Sequence, residues 1–352
     1  MKFLNYSHIE RNRIISLGLI AFIIGGTLGG VLWHFGGIYT ILDLGGFRPL
    51  QRFSSYEELK NFLNATPSSL PYYYRMLPGL TNLRGLGDIA TFESAIKATV
   101  VNSPDYSTTN IQVEGVDEAD IVKTDGEYVY LASGKTVVIL RAFPPKDARV
   151  LSKLDLNQTV NGIFVNGDRL VVFQGGYDPV GIVRWSRFAL PYPYEVARTT
   201  IKVYDISDRT RPTLSRDLTI DGYYFSSRMI GNYVYAVVNK PAYLKKGEVE
   251  LPILLFDKHV KEIPATSIYY INVTDYYHIF TTIAALDLQD PKKEPTHETF
   301  LLGAAANIYV SQKNLYITSP ERADTTSIHR ISIEGGKIAY AANGNVTGYV
   351  LN

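Results

Sequence analysis

The sequence predicts an all-β fold, a β-propeller of four-stranded antiparallel blades, about four of them, preceded by an N-terminal transmembrane helix and a short partly helical region. Three observations predict it: an uncharged apolar run near the N-terminus, alternating apolar and polar residues after Asn110, and strand-rich units that recur in series.

The apolar run is IISLGLIAFIIGGTLGGVLW, Ile14 to Trp33. Its twenty residues at helical rise span roughly 30 Å, the thickness of a hydrocarbon core. Arg11 and Arg13 precede it, with Lys2 further out, so residues 1–13 stay cytoplasmic and the remainder lies outside. Trp33 and His34 fall where an interfacial anchor belongs. A cleaved signal peptide would have a shorter apolar region and a small-residue cleavage site, whereas bulky Val31, Leu32 and Trp33 close this one. We therefore expect residues 14–35 to be an uncleaved anchor in the cell membrane. Gly25 and Gly29, like Gly26 and Gly30, have small-xxx-small spacing, a route to self-association through the anchor.

Residues 36–110 read as a connecting region with short helices. Ser55-Tyr56-Glu57-Glu58 is a capping box that predicts a helix from Tyr56 to Leu63, and FESAIKAT predicts a second near Phe92 to Thr99. Residues 111–352 form the propeller domain. Its units open as strand, two-residue turn, strand, at Asp125-Gly126, Asn166-Gly167, Gly231-Asn232 and Gln312-Lys313, and each continues with two more strands. The expected inner pairs include Tyr128 to Leu131, Leu170 to Phe173, Tyr233 to Val237 and Leu315 to Thr318. Four-strand units in series are the pattern of propeller blades, and a sandwich lacks the rhythm of strand pair, insertion, strand pair.

The run YSTTNIQVEGVDEADIVKTDGEYVY, Tyr106 to Tyr130, resembles the opening signature of a family of archaeal and bacterial secreted proteins whose β-propeller domain is distantly related to WD repeats. Ile263 to Leu288 and Thr326 to Asn352 are similar to later parts of the same domain. The resemblance covers about residues 50–352 and implies a fold and an exterior location, with no catalytic residues. It also implies further blades beyond Asn352: four blades either close a small ring or, in a truncated or split chain, leave an incomplete one whose open edges invite association.

Composition removes several function classes. With 35 basic and 34 acidic residues the net charge is +1, and no electrostatic footprint points to nucleic acid. The 46% hydrophobic and 20% charged content is that of a globular chain. Cysteine is absent, which excludes disulfides, thiolate metal sites and cysteine nucleophiles. The 26 tyrosines against 3 methionines favour strands over flexible core filling. Neither a G-x-S-x-G elbow nor a P-loop occurs.

Glu114, Asp117, Glu118 and Asp120, with Asp125 nearby, form the strongest acidic cluster, and such hard oxygens suit Ca²⁺, the one cofactor the sequence suggests. The spacing matches no EF-hand, and the plainer reading is a solvated strand entry followed by a hairpin turn. The six histidines, His8, His34, His259, His278, His297 and His329, form no HExxH and no i, i+4 pair. Four sequons, at Asn64, Asn157, Asn272 and Asn345, lie on the exterior side, between elements that tolerate glycans.

Two insertions stand out. One, between Gly176 and Arg198, carries Arg184, Trp185, Arg187, Tyr192 and Tyr194, residue types that make interaction hot spots. These aromatics either form an exposed patch or pack the insertion onto its own blade. The other, between Lys240 and Phe280, carries Lys245, Lys246, Tyr269, Tyr270, Tyr276 and Tyr277. Loops on a rigid scaffold are where function concentrates. The expected function is binding of a protein, glycan or envelope component. The alternative is a propeller hydrolase or oxidoreductase with an axial metal or cofactor, and a third reading is a structural envelope protein.

Overall fold

Each recurring unit closes on its turn. The computed structural model describes residues 50–65, 113–178, 196–271, 278–303, 307–322, 325–348 and 350. The expected anchor and the helix near Phe92 lie outside the described residues; among those described, no helix is long and apolar enough to cross a membrane.

Strand β1 (Gln51–Arg52) and helix α1 (Tyr56–Ala65) come first, then β2 (Val116–Glu118). Blade 1 is β3 (Val122–Thr124), β4 (Tyr128–Ser133), β5 (Thr136–Arg141) and β6 (Arg149–Asp155). Blade 2 is β7 (Thr159–Asn166), β8 (Arg169–Asp178), β9 (Val196–Asp205) and β10 (Thr213–Asp221). Blade 3 opens with β11 (Tyr223–Ile230) and β12 (Tyr233–Pro241). An insertion follows, with β13 (Leu244–Lys245), β14 (Glu248–Val249), β15 (Ile253–Phe256), β16 (His259–Glu262) and β17 (Ile268–Tyr270). The blade resumes with β18 (Ile279–Asp287) and β19 (Thr296–Leu302). Blade 4 is β20 (Asn307–Val310), β21 (Asn314–Arg322), β22 (Thr325–Glu334) and β23 (Lys337–Thr347).

Within every blade the strands pair antiparallel in chain order. The four expected turns sit between the first and second strands, with Gly126, Gly167 and Gly231 at positive φ. Blades 1 and 4 are four-stranded as expected, but blades 2 and 3 are not. The β15–β16 hairpin adds to the outer strand β10 and makes a six-stranded sheet. Strand β17 joins the outer strand β19 in parallel, β1 pairs with β17, and β2 pairs with β11, so blade 3 becomes seven-stranded. The reason is physical: an outer strand presents unpaired N–H and C=O groups, and the insertion carries strand-forming runs that satisfy them.

Among the described residues three cores lie between the sheets of the four blades. Blades 1 and 2 meet through Tyr130, Val137 and Ile139 against Ile163, Leu170 and Val172. Blades 2 and 3 meet through Phe164, Phe173, Ile201 and Leu218 against Val234, Ala236, Phe280 and Ala284. Blades 3 and 4 meet through Tyr235, Val237, Ile283 and Phe300 against Leu315, Ile317, Ile331 and Ile333. Strand β18 is covered on both faces and is buried over Ile279–Leu286, whereas β4, covered only on the blade 2 side, alternates. Among the described residues no core joins blade 4 to blade 1, so the blades form an open arc.

Helix α1 starts close to its predicted box. The Ser55 hydroxyl accepts the N–H of Glu58 at 3.1 Å, while the Glu58 carboxylate reaches one residue further back, accepting from the N–H and hydroxyl of Ser54 at 2.6 Å each. Leu59 and Leu63 on the helix and Phe53 before it enter the core between blades 2 and 3, and Phe53 stacks on Tyr270 at 4.0 Å. The described part of the connecting region is therefore part of the propeller body.

Candidate functional site

Residues 113–121 run along the inner edges of the blades. The Glu114 carbonyl accepts from Gln312 in the first turn of blade 4 at 3.0 Å. Strand β2 then pairs Val116, Asp117 and Glu118 with Ile230, Met229 and Arg228 of the inner strand of blade 3. Asp120 and Ile163, on the inner strand of blade 2, exchange two backbone hydrogen bonds, and the chain continues into β3. Gly162 admits this strap, since a Cβ there would lie 2.8 Å from that of Ala119. The structure thus brings Glu114, Asp117, Glu118 and Asp120 to the centre of the arc.

Two of these acids face cations. Asp117 pairs with Lys123 at 2.7 Å and Glu118 with Arg228 at 3.0 Å, while the Asp120 carboxylate caps the N–H of Ile121. Asp125 accepts from the Tyr128 N–H and the Tyr130 hydroxyl, the turn role expected of it. Among the described residues no group of three or more His, Asp and Glu is gathered as metal ligands.

The residues Arg184, Trp185, Arg187, Tyr192 and Tyr194 lie outside the described residues. Their insertion leaves and returns at Asp178 and Val196, which pair at the end of β8 and β9. The second insertion likewise connects the second and third strands of its blade, so both emerge from that end of their sheets. At their base the buried Asp221 receives Lys240 at 3.1 Å and Arg198 at 3.5 Å, and Lys240 also donates to the Leu251 carbonyl.

The second insertion builds a cavity of about 290 Å³ between its β15–β16 hairpin and the outer strand of blade 3. Leu218, Leu254 and Phe256 make an apolar floor, Pro295 a wall, and His259, Lys261, Glu294 and His297 the polar rim. Lys261 and Glu294 pair at 3.0 Å across the gap from hairpin to blade, and that bond holds the Glu294 carboxyl below its usual range. Burial, then the neighbouring Lys261 charge, lowers the pKa of His297. Arg216, only 2% exposed, props the floor: its guanidinium stands 5.0 Å from the Phe256 ring and donates to the Asp287 and Lys293 carbonyls. Sequence reasoning singled out this insertion, but it weighed His259 and His297 only as metal ligands and did not single out Lys261 or Glu294. The apolar run ILLF, the Asp-Lys turn and HVKE are the signal that would have exposed the hairpin.

The sequons occupy different settings. Asn157 is exposed in the turn between β6 and β7. Asn64 is exposed within α1 rather than between elements. Asn345 lies within β23, where its side-chain amide oxygen accepts from the Ser327 hydroxyl at 3.0 Å, and Asn272 is outside the described residues.

The sequence profile of the Beta propeller domain family matches residues 106–352, well over half of the chain. The chain belongs to this family. Its relatives include MJ1554, an uncharacterised protein of Methanocaldococcus jannaschii, 23% identical over 276 residues that cover 76% of this chain and 37% of that one. An uncharacterised protein of Archaeoglobus fulgidus is 23% identical over 300 residues, covering 79% of this chain and 43% of its own length. The chain thus spans less than half the length of these relatives. Among solved structures, the N-terminal domain of Nup159 aligns at TM-score 0.26 and 9% identity, covering 63% of this chain and 59% of that one. A functionally unknown protein of Desulfotomaculum acetoxidans aligns at 0.24 and 12%, covering 64% and 69%. In this Beta propeller domain the strap falls in the first matched residues, and the rim cavity is an addition made by the insertion in blade 3.

Proposed function

We propose that the chain is a membrane-anchored extracytoplasmic binding module whose propeller engages a protein of the cell envelope at the outer rim of blades 2 and 3. The rim cavity carries this reading. Its volume lies near the lower end of small-ligand sites, and an apolar floor beneath a charged rim suits an aromatic or aliphatic anchor residue of a partner. The uncharged run after Arg11 and Arg13 supports the anchor, and the exposed Asn64 and Asn157 suit glycans on the exterior domain. The family supplies the scaffold, since propellers present loops from a rigid frame.

A photoreactive residue placed at His259 in the full chain, in native membranes, tests the partner. The expected result is cross-linking to one envelope protein, weakened by Lys261→Glu and absent when the probe stands at the exposed Lys313. Equal labelling from both positions would overturn the rim site. Protease added to intact cells tests the topology, with cleavage expected within residues 36–352 and not within residues 1–13.

A further inference from the structure

Helix α1 lies ahead of the residues that the family profile matches, yet it grips the insertion that builds the rim cavity. It holds that insertion on both sides of the β15–β16 hairpin. Before the hairpin, the Tyr56 hydroxyl donates to Glu248 at 2.8 Å and accepts the Val249 N–H at 2.7 Å. Lys60, one turn further along α1, pairs with the same Glu248 at 3.2 Å. After the hairpin, the Tyr270 hydroxyl donates to Glu58 at 3.2 Å, and Phe62 meets the Tyr270 ring edge-on at 5.1 Å. Strand β1, just before the helix, pairs with Tyr269 and Tyr270. Leu59 and Leu63 share one core with Val249, Ile263 and Ala265 of the insertion. The two legs of the hairpin meet where the Ile263 N–H donates to the Pro252 carbonyl at 2.9 Å.

We infer that α1 is a removable clasp on the rim cavity: docked, it fixes both legs of the hairpin, and released, it frees them. A helix of ten residues does not persist alone in water. Release and unwinding are therefore one step, and α1 has two states, docked and undocked. Leu254, Phe256, His259 and Lys261 of the cavity ride on the hairpin. Blade 2 holds that hairpin through the short pairing of Leu218 to Ile220 with Leu254 to Phe256, so the legs decide how firmly it sits. The coupling is reciprocal: an occupant of the cavity tightens α1 by the same factor by which α1 tightens the occupant. Whatever draws α1 off its seat loosens the cavity. As regulation of the rim site this rests on the function proposed above, whereas the clasp itself does not.

Hydrogen exchange on the full-length chain in detergent tests the clasp. Leu59→Ala should speed exchange of the β15–β16 amides by about tenfold and change those of β4 and β5 by less than about twofold. The chain has no native cysteine, so Lys60→Cys and Glu248→Cys, added to that variant, let a short bismaleimide fix α1 to its seat. The reagent should bring β15–β16 exchange back to within about twofold of wild type. Unchanged exchange in β15–β16, an equal rise in β4 and β5, or no recovery on cross-linking overturns the clasp. Photo-cross-linking from His259 should also fall by about fivefold in Leu59→Ala, and an undiminished product would overturn the coupling to the rim site. If no product forms even from the wild type while the exchange pattern holds, the rim site falls and the clasp stands.

Discussion

The Tyr235 hydroxyl on β12 accepts the backbone N–H of Gly336 at 3.1 Å, tying the second strand of blade 3 to the last turn of blade 4. The same device recurs along the arc. Tyr130, on the second strand of blade 1, meets Arg209 in the last turn of blade 2 at 3.4 Å. Arg169, on the second strand of blade 2, donates to the Leu288 carbonyl in the last turn of blade 3 at 3.4 Å. Each blade thus holds the next by a polar contact at its edge as well as by its core.

Removing the hydroxyl with Tyr235→Phe leaves the Gly336 N–H without this acceptor and should cost about 1 kcal/mol in urea titration. Gly336→Ala should cost more, about 2 kcal/mol. Its φ is +80°, and an added Cβ would lie 2.6 Å from the Tyr233 ring. Equal midpoints for wild type and Gly336→Ala would contradict this account of the turn.

Asp221 carries two cations at the base of both insertions and is itself 7% exposed. Replacing it by Ala removes this carboxylate from both Arg198 and Lys240, and although Lys240 keeps the Leu251 carbonyl we expect a loss of about 3 kcal/mol. A change under about 1 kcal/mol, read from the same titration, would contradict a stabilising role for this carboxylate.

Burial lowers the pKa values of His278 and His329 to about 4. Both are neutral in the fold at neutral pH. The unfolded chain takes up these protons first, near pH 6.5, so their contribution is fully present above that value. It is lost as pH falls towards 4, by about 3 kcal/mol for each histidine. His329 meets the Tyr340 hydroxyl at 3.1 Å and that of Ser319 at 3.4 Å, so His329→Gln should fold and show about half of this pH dependence. Thermal midpoints at pH 7, 5.5 and 4.5 decide; an unchanged slope in the variant would remove His329 as a contributor.

Much of this architecture was readable, because the β period and the turn residues are local signals. Asp125-Gly126 and Asn166-Gly167 mark hairpins whatever the surroundings, and Tyr128-Val-Tyr130 declares its alternation directly. What could not be read depends on partners distant in sequence. That β15 would extend blade 2 rather than its own blade 3 follows from an open edge at β10, which no window of residues reveals. The acidic run from Glu114 to Asp120 signalled oxygen ligands, and nothing local showed that Arg228 would face Glu118. The cavity rim joins residues from two sheets, so its composition appears only once they are side by side.

The strap gives the chain an order of events in time. Val116 to Glu118 are synthesised early, yet their partner strand, Arg228 to Ile230, is made more than a hundred residues later. Blade 1 can zip from its own local turns while the segment just before it waits, since contacts of long sequence separation form slowly. Pulsed hydrogen exchange during refolding should therefore find the amides of β4 and β5 protected before the β2–β11 pair. Gly162→Val, which crowds Ala119, should slow that late step and leave the early one unchanged. Early protection of Asp117 would reverse the order, and the first residues of the domain would then be a template for assembly rather than the pin that completes it.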